Sequence, residues 1–283
     1  MKVSGFTFCR NVIKFDYPIV ESIKSILPIV DEYIVNVGNS EDDTVELIKS
    51  IGDPKVKIIE SVWDKSVKKD GLIYSIQTNI ALDHCTGDWA FYLQADEVVH
   101  EDDIDKIIKC MEKNFHNEEI LGLMFRYLHF KGDYRSIDPW MYRKEIRVIR
   151  NNGRVRSHGD ATGFCCIEDN PTKNIKDVPK ERWIYSGAKI FHYGWVKHPK
   201  IMTEKVRHQI LIYHEGKIPD DERVFFDKDE YTYDKYEMLK EFRDRHPKVM
   251  EDRIKKERRL RPRRSRWLNW KFYQEVLMHG FKG

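Results

Sequence analysis

Long apolar segments and paired cysteines are both missing from this chain of 283 residues. No apolar run approaches the roughly 20 residues that a helix needs to cross a bilayer, and residues 1–10 lack the charged-then-apolar layout of a secretory signal. The five cysteines contain no CxxC pair, and their odd number does not indicate a disulfide framework. We therefore expect a cytoplasmic protein whose cysteines are reduced and mostly buried.

A strong overall charge is also missing, because the net charge is only +3. The charge is nevertheless uneven: residues 251–266 contain nine Lys or Arg against three acids, which gives this segment a net charge of +6. The remainder of the chain is therefore slightly acidic. This asymmetry indicates a local anionic partner rather than a generally basic protein.

The first half of the chain alternates short apolar runs with helical patterns. Strands are predicted at residues 3–8, 33–37, 56–59 and 89–93, and amphipathic helices follow each of them. This alternation predicts an α/β fold with a mostly parallel sheet covered by helices on both faces. Beyond about residue 120 the sequence becomes rich in aromatics and less regular, and beyond about residue 231 it becomes charged, with Leu239, Lys240 and Arg243 at helical spacing.

Ligands of parallel α/β sheets bind beyond the carboxyl ends of the strands. The sharpest such end is the segment WAFYLQADE at residues 89–97, in which an apolar strand leads to the adjacent carboxylates of Asp96 and Glu97. Hard divalent cations prefer oxygen ligands and can also hold a diphosphate, so these acids are a candidate metal site. The competing interpretation is an acidic turn that caps the helix starting near Glu101.

Four segments, in order and spacing, resemble glycosyltransferase family 2. They are residues 3–11, YIVNVGNS with EDDT at 33–44, QTNIAL with TGDW at 77–89, and LQADE at 93–97. The resemblance covers roughly the first 110 residues. It implies a GT-A arrangement with a Rossmann-type sheet, a usually inverting reaction, and a nucleotide-diphosphate sugar held through Mn²⁺ or Mg²⁺.

The resemblance also implies roles for residues at the strand ends. Asp96 matches the last acid of the family's DxD motif, which holds the metal, whereas Gln94 stands where the first acid usually lies. Asn36 falls near the acid that commonly reads the base, again as an amide. Thr7, Phe8 and Asp64 occupy strand ends that line the nucleotide pocket in relatives. The alternative for these positions is ordinary loop structure.

In the second half, the resemblance implies a histidine that completes the metal site, and His192 in the segment FHYGWV is its best match. It also implies a catalytic base in a loop downstream of the metal motif, where Asp160 lies between glycines, with His158 as the alternative. A buried structural histidine and a turn-forming aspartate are the competing interpretations. Trp140 and Trp195 are predicted to stack on the acceptor, although most other aromatics belong to the core.

These assignments divide the chain into a GT-A-like catalytic domain at residues 1–230 and a helical, basic C-terminal extension at 231–283. Within the domain, residues 1–118 form the nucleotide-sugar half and 119–230 the acceptor half. The acceptor is expected to be a glycan, a lipid-linked molecule or another hydroxyl compound.

In the extension, the basic residues and the aromatics Trp267, Trp270, Phe272 and Tyr273 suit an anionic membrane surface, or a helix packed on the domain. Nucleic acid is not expected as a partner, because no recognised module accompanies the charge.

Three functions remain open at this level. The first is a glycosyltransferase of surface glycan or polysaccharide synthesis. The second is a sugar nucleotidyltransferase, which is disfavoured because no glycine-rich, lysine-bearing loop follows the first strand. The third is a non-catalytic protein that keeps the fold for ligand or membrane binding, an interpretation favoured by Gln94 and Asn36.

Overall fold

The computed structural model describes residues 1–64, 66–67, 70–167, 173–174, 182–233, 238–257 and 270–280. The strands are β1 (Val3–Cys9), β2 (Glu32–Gly38), β3 (Val56–Ser61), β4 (Trp89–Tyr92), β5 (Glu97–Val99), β6 (Gly122–Lys131), β7 (Ser136–Ile137), β8 (Lys144–Arg150), β9 (Val155–His158), β10 (Gly163–Cys166), β11 (Lys173–Asn174), β12 (Trp183–Trp195) and β13 (Lys240–Glu241). The helices are α1 (Ile19–Ile26), α2 (Thr44–Lys49), α3 (Leu72–Asp83), α4 (Ile104–Lys113), α5 (Pro199–Tyr213), α6 (Val224–Asp227), α7 (Glu251–Lys256) and α8 (Trp270–His279).

The predicted α/β pattern of the first half is confirmed. Strands β3, β2, β1 and β4 lie side by side in that order, and all three pairings are parallel. Helix α1 packs on this sheet because Ile19, Ile23 and Ile26 fall on one face, and all three are fully buried. The carboxyl ends of β1 and β4 therefore open toward the same edge of the sheet.

The second half continues the sheet with mixed pairings, so the sheet as a whole is mixed rather than mostly parallel. Strand β8 pairs antiparallel with both β4 and β6, and β12 pairs parallel with β6 and antiparallel with β5. The stretches that look irregular in sequence, around Phe125–Phe130 and Trp183–Tyr185, are thus the long strands β6 and β12. Strand β6 is buried along most of its length, so its side chains do not show the alternation of a half-exposed strand. Strand β12 alternates between exposed and buried side chains only from Tyr185 to Ile190 and is buried without interruption from Ile190 to Gly194.

The segment after residue 238 adds to this core. Lys240 and Glu241, predicted as helical, instead form β13, which pairs with β7. Phe242 and Met250 pack in one buried cluster with Phe130 and Phe191. The predicted division at residue 230 therefore does not coincide with a break in the packing. Residues 258–269, which hold most of the basic segment and Trp267, lie outside the described residues.

Four of the five cysteines are buried and Cys110 is partly buried, and all five are free thiols. Among the described helices, none is long and apolar enough to cross a bilayer.

Candidate active site

A cavity of about 220 Å³ lies at the carboxyl ends of β1 and β4, where the β9–β10 hairpin and α5 close over the sheet. Its lining carries acids, cations and many aromatic rings. The aromatic lining residues are Phe8, Phe15, Tyr17, Trp63, Tyr74, Tyr142, Trp195 and Tyr213. Rings together with a few convergent polar groups suit a ligand that has flat or ring-shaped parts and charge.

Asp96 lies in this cavity between two nitrogen groups. Its Oδ2 is 3.6 Å from Nζ of Lys205, and its Oδ1 is 3.7 Å from Nε2 of His192. Burial alone would raise the pKa of the Asp96 carboxyl, but the positive charge that His192 and Lys205 can carry holds this pKa below its ordinary value. Asp96 is therefore an ionised carboxylate although its side chain is buried.

His192 is held from behind by a second buried histidine. Its Nδ1 is 3.0 Å from Nδ1 of His129, whose Nε2 lies 2.7 Å from the carbonyl oxygen of Tyr142. Burial lowers the pKa of the His192 ring, and it lowers the pKa of His129 to about 3. Both rings are therefore neutral near pH 7.

Gly194 leaves open the space in front of Asp96 and His192. A Cβ at this position would lie 2.5 Å from Oδ2 of Asp96 and 2.8 Å from Nε2 of His192, so any side chain here would clash with both. The open face thus presents one carboxylate and one neutral imidazole, a donor set that suits Mn²⁺ better than Mg²⁺. The residues present fit the divalent cation that the family resemblance implies.

A different group of three potential metal ligands lies away from the cavity, at His100, Glu101 and Asp102. Its two carboxylates are already bound by Arg245, at 2.6 Å from Glu101 and 2.8 Å from Asp102. Glu101 also accepts the backbone N–H of Lys248 at 3.0 Å. This cluster therefore joins the segment after residue 238 to the start of α4.

Asp160 reaches the cavity from the turn between β9 and β10. Its Oδ2 accepts a hydrogen bond from the hydroxyl of Tyr213 at 2.9 Å, and its Oδ1 accepts one from the backbone N–H of Thr162 at 3.1 Å. Gln94 ties the same turn to the end of β4, because its Nε2 donates to the carbonyl of Ala161 at 3.3 Å. The carboxylate is thus oriented from two sides and remains part of the cavity wall.

Five predicted site residues do not line this cavity. Thr7 and Asn36 are fully buried, and Asn36 donates to the backbone and side-chain oxygens of Gln77 on α3 instead of facing a ligand. Asp64 is exposed and accepts two hydrogen bonds from Ser66. The other two are His158 and Trp140.

His158 is exposed, because Ser157 takes the inward position in β9 and the neighbouring side chain must point outward. Its place on the outer side of the hairpin does not support the alternative base. Trp140 packs edge-on against Phe272 of α8, with ring centroids 6.2 Å apart, so it faces that helix. Its neighbours Met141 and Tyr142 line the cavity instead.

Helix α5 forms a wall of the cavity that was not predicted from the sequence. Lys205, Gln209 and Tyr213 are spaced four residues apart on α5 and all three line the cavity, as does His208. This polar stripe at helical spacing was the available signal. In sequence it cannot be told from a solvated face, because only the packing of α5 on the site shows that Lys205 is buried.

The acid next to Asp96 has a structural role. Glu97 is fully buried and accepts two hydrogen bonds at 2.8 Å from Arg147, which is also fully buried, and one at 2.7 Å from the hydroxyl of Tyr127. Arg147 is therefore held inside the core by this ion pair and is not part of a solvated charged face. Asp96 lies in the turn between β4 and β5 and lines the cavity, whereas Glu97 begins β5 and is directed toward Arg147 in the core.

Comparison with known proteins identifies the family. The family model described as glycosyl transferase family 2 matches residues 11–169. The chain belongs to glycosyl transferase family 2. The match includes three of the four segments on which the sequence resemblance rests, at residues 33–44, 77–89 and 93–97, and it extends past Asp160.

Two relatives of this family-2 chain are bacterial glycosyltransferases. It is 27% identical over 135 residues to an uncharacterised glycosyltransferase of Rickettsia typhi, covering 48% of this chain and 41% of that protein. It is 24% identical over 214 residues to the glycosyltransferase SunS of Bacillus subtilis, covering 73% of this chain and 40% of that protein. The chain thus spans about two fifths of the length of these relatives.

Among solved structures, the family-2 chain is similar to S. aureus TarS, residues 1–349, in complex with UDP. The TM-score is 0.43 at 14% sequence identity, and the alignment covers 76% of this chain and 67% of TarS 1–349.

Proposed function

We propose that this chain transfers a sugar from a nucleotide-diphosphate donor to a hydroxyl acceptor, with inversion at the anomeric carbon. The observation that supports this proposal is the cavity that collects Asp96, His192 and Asp160 among aromatic rings at the carboxyl ends of the strands. Each of these three residues comes from a different element, so the cavity joins the motif acid, the downstream histidine and the loop acid in one place.

Asp160 is proposed as the general base. Its carboxylate takes the proton of the acceptor hydroxyl while the acceptor oxygen bonds to the anomeric carbon. The bond from that carbon to the diphosphate breaks, and the nucleoside diphosphate leaves with the electron pair. Tyr213 and the backbone of Thr162 orient the carboxylate, and an attack opposite to the leaving group accounts for inversion.

Asp96 and His192 would hold a divalent ion, Mn²⁺ or Mg²⁺, whose charge offsets the negative charge on the departing diphosphate. Lys205 brings a second positive charge to the same place, since its ammonium lies 3.6 Å from Asp96. Gln94 replaces the first acid of the DxD motif, so the site has one negative charge fewer than is usual in the family. Lys205 adds a fixed positive charge to the same site. Trp195 and Tyr213 are proposed to contact the sugar or acceptor.

The acceptor is proposed to be a glycan or lipid-linked molecule assembled at an anionic membrane surface. Helix α8 supports this proposal, because Trp270 is 71% exposed, Leu277 is 83% exposed and Met278 is 66% exposed on one face. Phe272, on the opposite face, is buried against Trp140. The +6 segment precedes this helix in sequence, and basic residues beside an exposed apolar face favour anionic lipid.

A donor screen tests the proposed function. UDP-, GDP-, CMP- and dTDP-sugars are each mixed with the protein in Mn²⁺ or in EDTA, and the melting temperature and slow donor hydrolysis are measured. We expect one nucleotide class to stabilise the protein and to be hydrolysed. If a nucleotide sugar stabilises the protein but is neither hydrolysed nor transferred to any acceptor, the result would favour a non-catalytic binding protein. Gln94, in place of the first motif acid, is the residue that favours this alternative.

A further inference from the structure

Two buried histidines are neighbours in the sheet behind the proposed metal site. His129 of β6 and His192 of β12 are direct partners in a parallel register, so their side chains lie on the same face of the sheet. Their Nδ1 atoms are 3.0 Å apart, which is a hydrogen-bond distance. One of the two rings must therefore donate and the other accept.

The carbonyl oxygen of Tyr142 decides which ring donates. A carbonyl can only accept, so Nε2 of His129, 2.7 Å away, carries a proton. His129 is buried between the rings of Tyr127 and Tyr142, where the charged form is disfavoured. The neutral ring has no second proton, and its Nδ1 accepts. The proton between the two histidines therefore belongs to Nδ1 of His192.

This assignment leaves Nε2 of His192 without a proton. That nitrogen is 3.7 Å from Oδ1 of Asp96, an oxygen that also carries only lone pairs when ionised. Two acceptors that face each other across a space kept open by Gly194 repel, and a cation between them removes the repulsion. A proton on Nε2 would instead make a simple histidine–aspartate pair and block that cation.

We propose that His129 is a positioning residue that, together with the carbonyl of Tyr142, fixes His192 as the Nδ1–H tautomer and so makes His192 and Asp96 a ligand pair for a divalent cation. The proposal rests on the proposed function, because it concerns the same cation site. Outer partners that fix the tautomer of a metal-binding histidine commonly change metal affinity by about 10- to 100-fold. Lys205 approaches the other oxygen of Asp96 and leaves this side of the carboxylate to the cation.

Nuclear magnetic resonance of the metal-free protein tests the tautomer directly. With ¹⁵N-labelled histidine, long-range proton–nitrogen correlations distinguish a protonated Nδ1 from a protonated Nε2, and His192→Gln assigns the signal. We expect His192 to be protonated at Nδ1 alone. Protonation of His192 at Nε2 in the neutral protein overturns the proposal. This measurement needs no donor and no turnover, so a failed sugar-transfer assay does not affect it.

A matched pair of variants tests the consequence. His129→Asn keeps an oxygen near the position of Nδ1 that can accept from His192, whereas His129→Leu has a similar size and cannot accept. Co²⁺ absorption and Mn²⁺ titration measure cation affinity. We expect affinity within about threefold of the original for His129→Asn, and at least about tenfold weaker for His129→Leu.

Equal affinity in both variants, or equal loss in both, overturns the proposal, because a packing role would not distinguish the acceptor. If the original chain binds neither Co²⁺ nor Mn²⁺, the ligand pair is also refuted, while sugar transfer measured in EDTA still decides the proposed function separately. A melting curve accompanies each variant. If His129→Leu does not fold, the tautomer measurement on the original chain remains decisive.

Discussion

At the scale of single residues, the burial of Asp96 changes the expected effect of replacing it. An acid at a strand end usually contributes little to packing, but Asp96 is 7% exposed and neutralises Lys205. Removing one partner of a buried charged pair leaves the other without its counter-charge. The carboxylate is therefore both the proposed metal ligand and part of the fold's internal charge balance.

Asp96→Asn tests both roles of this carboxylate, as a metal ligand and as the partner of Lys205. We expect Mn²⁺-dependent nucleotide binding to be lost and the free energy of unfolding to fall by about 1–3 kcal/mol, because Lys205 loses its partner. Asp64→Asn is the matched control, since this exposed acid also follows a strand of the same sheet and does not line the cavity. Calorimetric titration and urea unfolding are the measurements. Unchanged Mn²⁺-dependent affinity in Asp96→Asn would exclude the metal role.

Asp160→Asn tests the base. We expect donor binding to remain and sugar transfer to fall by at least about 100-fold, the lower range for a lost general base. Tyr213→Phe should have a smaller effect, because it removes only the hydrogen bond at 2.9 Å that orients the carboxylate. His158→Gln is the control and should keep normal turnover. Near-normal turnover in Asp160→Asn would assign the base to another group.

Lys205→Met tests the fixed cation in the site. Without the ammonium, no fixed positive charge beside Asp96 repels the metal, so we expect Mn²⁺ affinity to rise while transfer at saturating Mn²⁺ falls by about tenfold or more. Titrating Mn²⁺ in parallel assays of binding and turnover separates the two effects. A loss of metal affinity together with a normal maximal rate would show that Lys205 supports the metal site rather than the leaving group.

At the scale of elements, α8 has two different faces. Phe272 packs on Trp140, whereas Trp270, Leu277 and Met278 share the exposed face, since positions i, i+7 and i+8 lie together on a helix. Phe272 was predicted from the sequence to be one of the membrane-facing aromatics, and its burial corrects that prediction. Deleting residues 251–283 would be a poor test of lipid contact by α8. The deletion would also remove α7, in which Arg253 pairs with Asp16 of the domain.

A triple variant, Trp270→Ser with Leu277→Ser and Met278→Ser, is a sharper test of lipid contact. We expect less co-sedimentation with vesicles that contain phosphatidylglycerol, with the melting temperature unchanged because the three side chains are exposed. Salt should weaken binding of the original chain, since lysine and arginine near a charged surface each contribute on the order of 1 kcal/mol. Binding that survives the triple variant and 0.5 M salt, roughly fivefold above the 0.1 M at which the Debye length is about 10 Å, would contradict the proposed surface.

At the scale of the whole molecule, one buried core runs through both halves of the chain. A single apolar cluster contains Val3 and Ile19 from the first half together with Val148 and Ile190 from the second. Residues 1–118 and 119–230 are therefore not expected to unfold separately. The site lies where they meet, so loss of either half's packing should also remove it.

Buried histidines make stability depend on pH. Burial lowers the pKa of His246 to about 4 and that of His208 to about 4, below the ordinary value of 6.5. Between these values the unfolded chain binds more protons than the folded chain, so the free energy of unfolding falls as the pH is lowered from about 6.5 to 4.

Melting curves between pH 4.5 and 7.5 test this effect. We expect the melting temperature to fall toward acid, and the fall should be smaller in His246→Gln, which removes one of the titrating rings. The carboxyl of Glu32, whose pKa of about 2 reflects bonds from Lys57 and Thr86 that outweigh its burial, loses its contribution only at lower pH, between about 4.5 and 2. A melting temperature that is constant from pH 7 to 5 would contradict the assignment to histidine.

The sequence alone determined the parallel half of the sheet and the place of Asp96, because hydrophobic periodicity and strand ends are local properties of the chain. Motif order within a family also pointed to Asp160 and His192, which line the same cavity as Asp96. Only the tertiary structure decided that Asn36 faces Gln77, that His158 points outward and that Arg147 is buried against Glu97. These outcomes depend on which element covers each side chain, and so do the burial of Lys205 under α5 and the contact between His129 and His192. Contacts between residues 60 or more positions apart, such as the last one, follow from strand register, which no local pattern in the sequence specifies.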